Sequence, residues 1–191
     1  MASHPLLSIL IPTLPGRNES FARLMQHLNE QIRNNKAENV VEILFDPAPR
    51  GVKSIGEKRQ GLMERARGEY FVFIDDDDWI SADYIFEILK GCKSGVDCIG
   101  ITGWYYVDGA YQKPFIHNIS YTEYSEDEKA YYRPPNHLNP IKREIGHKFQ
   151  FKNKNHGEDT DWAMEICKSE VLKSCYNIET VMYFYKFIST K

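Results

Sequence analysis

Three times in its first ninety residues the chain repeats one unit: a short, almost wholly apolar run followed by a stretch with apolar residues at helical spacing. The runs are Leu6–Ile11, stopped by Pro12, then Val40–Phe45 and Tyr70–Ile74. A strand that is apolar on both sides needs helices over both faces of its sheet, which is the condition of parallel strands. Phe21, Leu24, Met25, Leu28 and Ile32 form the first helical stripe, with Ser20 placed to cap it. Lys53–Arg67 is rich in helix formers and closes at Gly68, and Tyr84, Ile85, Ile88 and Leu89 form a third stripe behind a Ser81 cap. Successive strand-helix units predict an α/β fold with a mostly parallel, Rossmann-type sheet flanked by helices.

Beyond Val96 the pattern loosens. CIGITGWYYV reads as a strand, Tyr121–Tyr132 is polar without periodicity, Trp162, Ala163, Ile166 and Cys167 suggest an amphipathic helix after Gly157, and Val181–Phe187 reads as a last strand. A smaller, irregular antiparallel part is therefore expected in the second half. The 191 residues suit one domain, and 42% hydrophobic residues can fill its core. Lys and Arg number 24 against 27 Asp and Glu, so no global basic field exists to hold nucleic acid or an anionic membrane. Any phosphate must be bound locally. Cys92, Cys98, Cys167 and Cys175 lack metal-knuckle spacing and read as free thiols, while Leu6–Ile11 is too short to span a bilayer and has no basic leader. The expectation is a cytoplasmic protein without a transmembrane segment; oligomeric state is open.

The strongest chemical signal is FIDDDDW, Phe73–Trp79, where an apolar strand delivers Asp75, Asp76, Asp77 and Asp78 at its C-terminal end, the end at which open parallel sheets bind ligands. Alternation along a strand would aim Asp75 and Asp77 the same way, roughly 6.6 Å apart at Cα. Adjacent carboxylates repel, and Mg2+ or Mn2+ with oxygen ligands would relieve them; a solvated turn capping the next helix is the plainer alternative. The second signal is GEDTDW, with Glu158, Asp159 and Asp161 at a predicted helix start, where acids are favoured even without function and Asp159 would serve as N-cap. The loops IPTLPGR and DPAPRG and the run GEKRQG contain no Walker or GxGxxG pattern; Lys58 or Arg59 could reach a phosphate, or belong to a solvated basic face. His137, His147 and His156 have no ligand spacing and read as structural or exposed, with only His156 near a proposed site.

LSILIPT, then GEKRQGLMERARGEYFVFIDDDD, then GEDTDW together resemble a family 2 glycosyltransferase, over roughly residues 6–190. The resemblance implies a GT-A fold, a nucleotide-diphospho-sugar donor (a UDP-sugar first), a divalent metal, Mn2+ or Mg2+, and inversion at the sugar carbon. It also implies one domain over 1–191, with a nucleotide-sugar half to about residue 100 and an acceptor half after it. Thr13 and Asp46 resemble base-pocket residues, Arg59 the basic residue of the helix before the DxD strand, Asp75 the carboxylate near the ribose and Asp77 the metal ligand. Asp76 joins the donor-binding set, and Asp159 resembles the general base. The sequence departs from the family at Pro15, where an Asn is common, at DPAPRG, and at the closing FIST, where Ser189 and Thr190 stand without the common His.

The function this implies is transfer of a sugar to the hydroxyl of a carbohydrate or other acceptor. Two alternatives stand beside it. A non-catalytic module could keep the acids to bind nucleotide-sugar or metal, which loss of activity in an Asp159 variant would exclude. A sugar-phosphate nucleotidyltransferase usually carries a Gly-rich basic loop after its first strand, where this chain offers a single Gly.

Overall fold

The computed structural model describes residues 4–189. At its centre lies β1 (Leu7–Pro12), all six residues buried. Strand β2 (Val41–Asp46) pairs parallel to it from Leu7↔Val41 to Pro12↔Asp46, and β3 (Tyr70–Phe73) pairs parallel on its other side from Leu7↔Tyr70 to Leu10↔Phe73. The crossovers are α1 (Asn18–Asn34) and α2 (Ile55–Arg65), followed by α3 (Tyr84–Lys93).

Two of the expected caps do not form. Helix α1 begins before Ser20, whose hydroxyl donates back to the Arg17 carbonyl at 3.0 Å, and α3 begins three residues after Ser81, whose hydroxyl turns to Met182 Sδ at 3.7 Å. In both places a local hydroxyl found another partner, as Ser readily does. Helix α2 carries a cap the sequence spells as Ser54-Ile-Gly-Glu57: the Ser54 hydroxyl accepts from Glu57 N at 3.1 Å, and Glu57 accepts from Ser54 N at 2.8 Å.

The second half supplies β4 (Trp79–Ile80), β5 (Cys98–Val107), β6 (Ala110–His117), β7 (Ser125–Glu126), β8 (Tyr131–Arg133), β9 (Ile141–Lys142), α4 (Arg143–Gly146), α5 (Glu158–Ser169) and β10 (Cys175–Phe187). The sheet runs β2-β1-β3-β9-β5-β6-β8-β7, with β10 parallel to β5 and antiparallel to β4. Every antiparallel pair involves a strand after Asp78, as the loss of the repeating unit implied. The last strand is longer than expected, and the polar Tyr121–Tyr132 stretch contains β7 and the start of β8. Among the described residues no helix is long and apolar enough to cross a membrane. All four cysteines are free, Cys92 and Cys98 buried and the other two half-buried.

Both sheet faces are covered. Leu7, Ile9 and Ile11 pack with Leu24 and Leu28 of α1 and Ile85 and Ile88 of α3. Leu10, Phe71 and Phe73 pack with Leu62 and Met63 of α2 and Trp162 and Ile166 of α5. Each such large apolar side chain contributes about 1.5–3 kcal/mol on burial, and the second cluster fixes α2 beside α5. Gly56 of α2 also lies against the segment before α5, where a Cβ would be 1.9 Å from the Lys152 carbonyl oxygen and 3.0 Å from its carbon. Gly56→Ala gains up to about 1 kcal/mol of helix propensity, but overpacking against a backbone atom costs about 1–3 kcal/mol or more. Urea unfolding is therefore expected to show a net destabilisation of Gly56→Ala, and Gly61→Ala, whose Cβ meets nothing within 4 Å, is expected to be neutral or stabilising.

Candidate active site

Strand β3 ends at Phe73, so strand alternation does not reach the aspartates. Asp75–Asp78 form a turn closed by the Asp78 N–H donating to the Asp75 carbonyl at 3.1 Å. The expected pairing of Asp75 with Asp77 on one strand face is thus replaced by a turn that gives each carboxylate its own surroundings. Asp75 accepts from Arg59 Nη2 at 2.9 and 3.1 Å. Asp76, 1% exposed, accepts from the Thr13 hydroxyl and from Arg17 Nη1, both at 2.5 Å. Asp77 keeps 30% of its side chain exposed and lies 3.2 Å from Arg17 Nη1. Asp78 turns away, accepting from the Tyr183 hydroxyl at 2.8 Å and from Lys186 N at 2.7 Å, while the Tyr183 oxygen accepts from Asp75 N at 3.2 Å. Burial and the neighbouring Asp75 charge push the Asp78 carboxyl well above the usual carboxylate range.

The second acid cluster opens α5. Its N-cap is Gly157, in the left-handed region at φ 71°, rather than Asp159. That conformation suits Gly, and it sends Glu158 inward. Arg59, 4% exposed, connects the two clusters: its Nη1 lies 2.9 Å from Glu158 Oε1 and 3.9 Å from Asp159 Oδ2, while its Nη2 holds Asp75. His137 joins them as well, with Nε2 3.5 Å from Asp75 Oδ2 and Nδ1 3.4 Å from Asp159 Oδ2. The sequence reading of His137 as structural or exposed, away from any proposed site, is corrected here. Asp161 faces outward to Lys152 and Lys154.

The electrostatics follow from this wiring. Burial alone would lower the Arg59 pKa, but Asp75, Asp159 and Glu158 raise it above the ordinary value. Burial likewise opposes ionisation of Asp75, yet Arg59 and His137 hold it below 3.8; His137 and Arg59 do the same for Asp159. Glu158 is raised by burial, which Arg59 only partly offsets.

An open cavity of about 560 Å³ lies at the C-terminal ends of the parallel strands, the position such sheets reserve for ligands. Thr13, Arg59, Asp75, Asp76, Asp77 and Asp159 all line it. Asp46 stands behind the wall, accepting from Lys53 Nζ at 2.8 Å and Ala48 N at 2.9 Å; Lys53 is the residue that reaches the cavity. Lys58 and Arg59 are buried rather than solvated, and Lys58 Nζ donates to the Thr13 carbonyl at 2.6 Å, which fixes the loop after β1. Arg17, His137 and Tyr185 also line the cavity. Sequence reasoning missed them because each sits in an ordinary-looking segment. Ser189 bonds Asp108, and Thr190 lies outside the described residues.

Among the described residues no three His, Cys, Asp or Glu side chains converge to cage a metal ion by themselves. Mg2+ is usually held by one or two carboxylates together with water and substrate phosphates. A partly exposed carboxylate such as Asp77, facing the cavity, has the chemistry for a shared site of that kind.

Removing Arg59 would leave Asp75, Glu158 and Asp159 without their common cation. Breaking a buried pair this way costs about 3–5 kcal/mol, so Arg59→Met is expected to lose that much by urea denaturation at pH 7. Because Asp75 and Asp159 lie below 3.8 in the folded state, their stabilisation is present above about pH 4 and fades as the pH falls through their folded values. In an acid titration followed by near-UV circular dichroism, that dependence is expected in the wild type and much reduced in Arg59→Met.

The model for Glycosyl transferase family 2 matches residues 48–165. Among solved structures, Staphylococcus aureus TarS 1-349 in complex with UDP-GlcNAc superposes with a TM-score of 0.64 at 12% identity, covering 97% of this chain and 59% of that one. The same protein in complex with UDP gives 0.62 at 12% identity, over 94% and 60%. These matches show a common GT-A-like fold. EpsH of Bacillus subtilis (strain 168), a glycosyltransferase by assignment, is 39% identical over 54 residues, 25% of this chain and 16% of its own. The chain thus spans less than two thirds of the length of either relative. With more than half of its residues matched by the family model and its acid clusters gathered on one cavity of this fold, the chain belongs to glycosyl transferase family 2.

Proposed function

We propose that this protein transfers a sugar from a nucleotide-diphospho-sugar, a UDP-sugar first, to an acceptor hydroxyl with inversion of configuration. The reading rests on one observation: Asp75, Asp76 and Asp77 after β3 and Asp159 at the start of α5, far apart in sequence, line a single cavity. Thr13, Arg59, Asp75 and Asp76, with Asp46 behind the wall, build the donor side of it. Thr13 and Asp76 fix each other, Asp46 sets Lys53, and Arg59 fixes the carboxylate of Asp75. The first hundred residues hold the donor and the remainder presents the acceptor, with His137, His156, Asp159 and Tyr185 among the cavity-lining residues of that part.

Mn2+ or Mg2+ held on Asp77 would neutralise the charge that gathers on the departing diphosphate. Asp159, ionised at neutral pH because His137 and Arg59 more than offset its burial, accepts the acceptor hydroxyl's proton. The acceptor oxygen forms its bond to the anomeric carbon as the bond to the diphosphate oxygen breaks on the opposite face, and one displacement inverts the centre. The buried pairs around Arg59 hold these carboxylates before substrate arrives, so little reorganisation is left for the reaction itself.

General-base catalysis contributes typically 10²–10⁴-fold, so Asp159→Asn is expected to lose about that much transfer or hydrolysis of UDP-GlcNAc while binding UDP within about threefold of wild type. Asp77→Asn is expected to lose the Mn2+-dependent part of UDP binding, read by calorimetry with and without chelator. Wild-type turnover in Asp159→Asn would exclude it as the base. UDP affinity unaffected by chelator would exclude the metal.

A further inference from the structure

We infer that His137 is a positioning residue that ties the Asp159 carboxylate to the acid turn, so that base and donor site keep one separation. The inference rests on Asp159 acting as the base. His137 is 3% exposed, in the loop before β9, and its backbone is pinned on both sides: its carbonyl accepts from Phe73 N at 2.9 Å, and the Asn136 side chain accepts from Leu138 N at 3.0 Å. The ring lies edge-on to Phe73, with centroids 6.4 Å apart. It is therefore held in place by groups other than the carboxylates it faces. Its two nitrogens look at two different acid clusters, Asp75 Oδ2 at 3.5 Å and Asp159 Oδ2 at 3.4 Å, and neither makes a hydrogen bond of good geometry. A few tenths of an ångström would close both contacts, and catalytic hydrogen bonds are often long before substrate binds.

His117, at the end of β6, shows what a purely structural histidine looks like in this core. Its Nδ1 lies 2.9 Å from the neutral Asn139 side chain, and burial pushes its pKa down to about 3. Among the described residues no neutral group hydrogen-bonds the His137 ring; carboxylates stand at both of its ends. Asp159 is faced by Arg59 from α2, Asp75 from the acid turn, His137, Tyr124 from the segment entering β7, Tyr185 from β10, and its own neighbour Glu158. Among these, after burial, His137 exerts the largest influence on Asp159 and acts to lower its pKa. Without it the base would protonate at higher pH.

The test compares His137→Phe, which keeps the ring's shape without its nitrogens, with His137→Gln, which returns one N–H donor. UDP binding with Mn2+ is measured by calorimetry and UDP-GlcNAc hydrolysis across pH. Misplacing a reacting group by about 1 Å can cost 10²-fold. His137→Phe is accordingly expected to bind UDP within about threefold of wild type and to lose about 10–100-fold in kcat. Its acid limb of kcat/KM should move up by about half a unit or more, and His137→Gln should recover at least part of the rate. Should the Phe variant not fold, His137→Asn, whose shorter amide reaches less far, takes its place in the comparison with Gln. A Phe variant with wild-type kcat, or one losing kcat and UDP affinity together with an unmoved pH profile, overturns the inference. Wild-type hydrolysis in Asp159→Asn would instead overturn the base assignment on which it rests.

Discussion

A single guanidinium, that of Arg59, makes the rest of the site possible. It is almost wholly buried and touches acids from two elements far apart in the sequence, Asp75 after β3 and Glu158 with Asp159 at the start of α5. Burying a charge is expensive unless it is paired, and three carboxylates crowded together are expensive without a cation. Each cost is offset in large part by the other, so the approach of the two clusters stabilises both. Arg suits the task because its planar fork reaches Asp75 from one terminal nitrogen and Glu158 from the other, a division that the point charge of a Lys would not make. Its neighbour Lys58, on the same helix, is spent on the Thr13 carbonyl instead. One turn of α2 thereby anchors the loop after β1, the acid turn and the N-terminus of α5.

Four consecutive aspartates survive because the turn distributes them. Asp75 goes to Arg59, Asp76 to Thr13 and Arg17, Asp77 to the cavity edge beside Arg17, and Asp78 to Tyr183 and a backbone amide on β10. Asp78, the one sent into the protein without a cation, is also the one whose carboxyl is pushed well above the usual range. The turn thus separates carboxylates that the spelling places side by side, and it leaves Asp77 at the edge of the cavity.

Much of this was legible in the residues. The apolar runs gave the parallel centre because a strand covered on both faces has no room for polar residues, and the abrupt switch from Ile74 to Asp75 marked the strand end. The second half was harder to read. Its strands pair with partners far along the chain, β10 with β5 for example, and short pieces such as β7 and β9 carry no periodicity to detect. The site was legible where chemistry is concentrated, in the acids and Arg59, and illegible where it depends on placement. Nothing in PNHLNP marks His137, and nothing in LPGR marks Arg17, because each becomes significant only through acids that arrive from other elements. Ser20 and Ser81 failed as caps for a related reason: a hydroxyl satisfies whichever group the tertiary structure brings closest.

Tyr183 gives the last strand a role beyond closing the sheet. Its hydroxyl accepts from the backbone of Asp75 and donates to the side chain of Asp78, clasping the acid turn at both ends from more than a hundred positions away. A fragment cut before β10 would retain every carboxylate proposed to react, yet it would have lost the clasp on the acid turn. The acid turn is therefore spelled long before the strand that holds its shape, which makes the two inseparable to any designer who would shorten the chain.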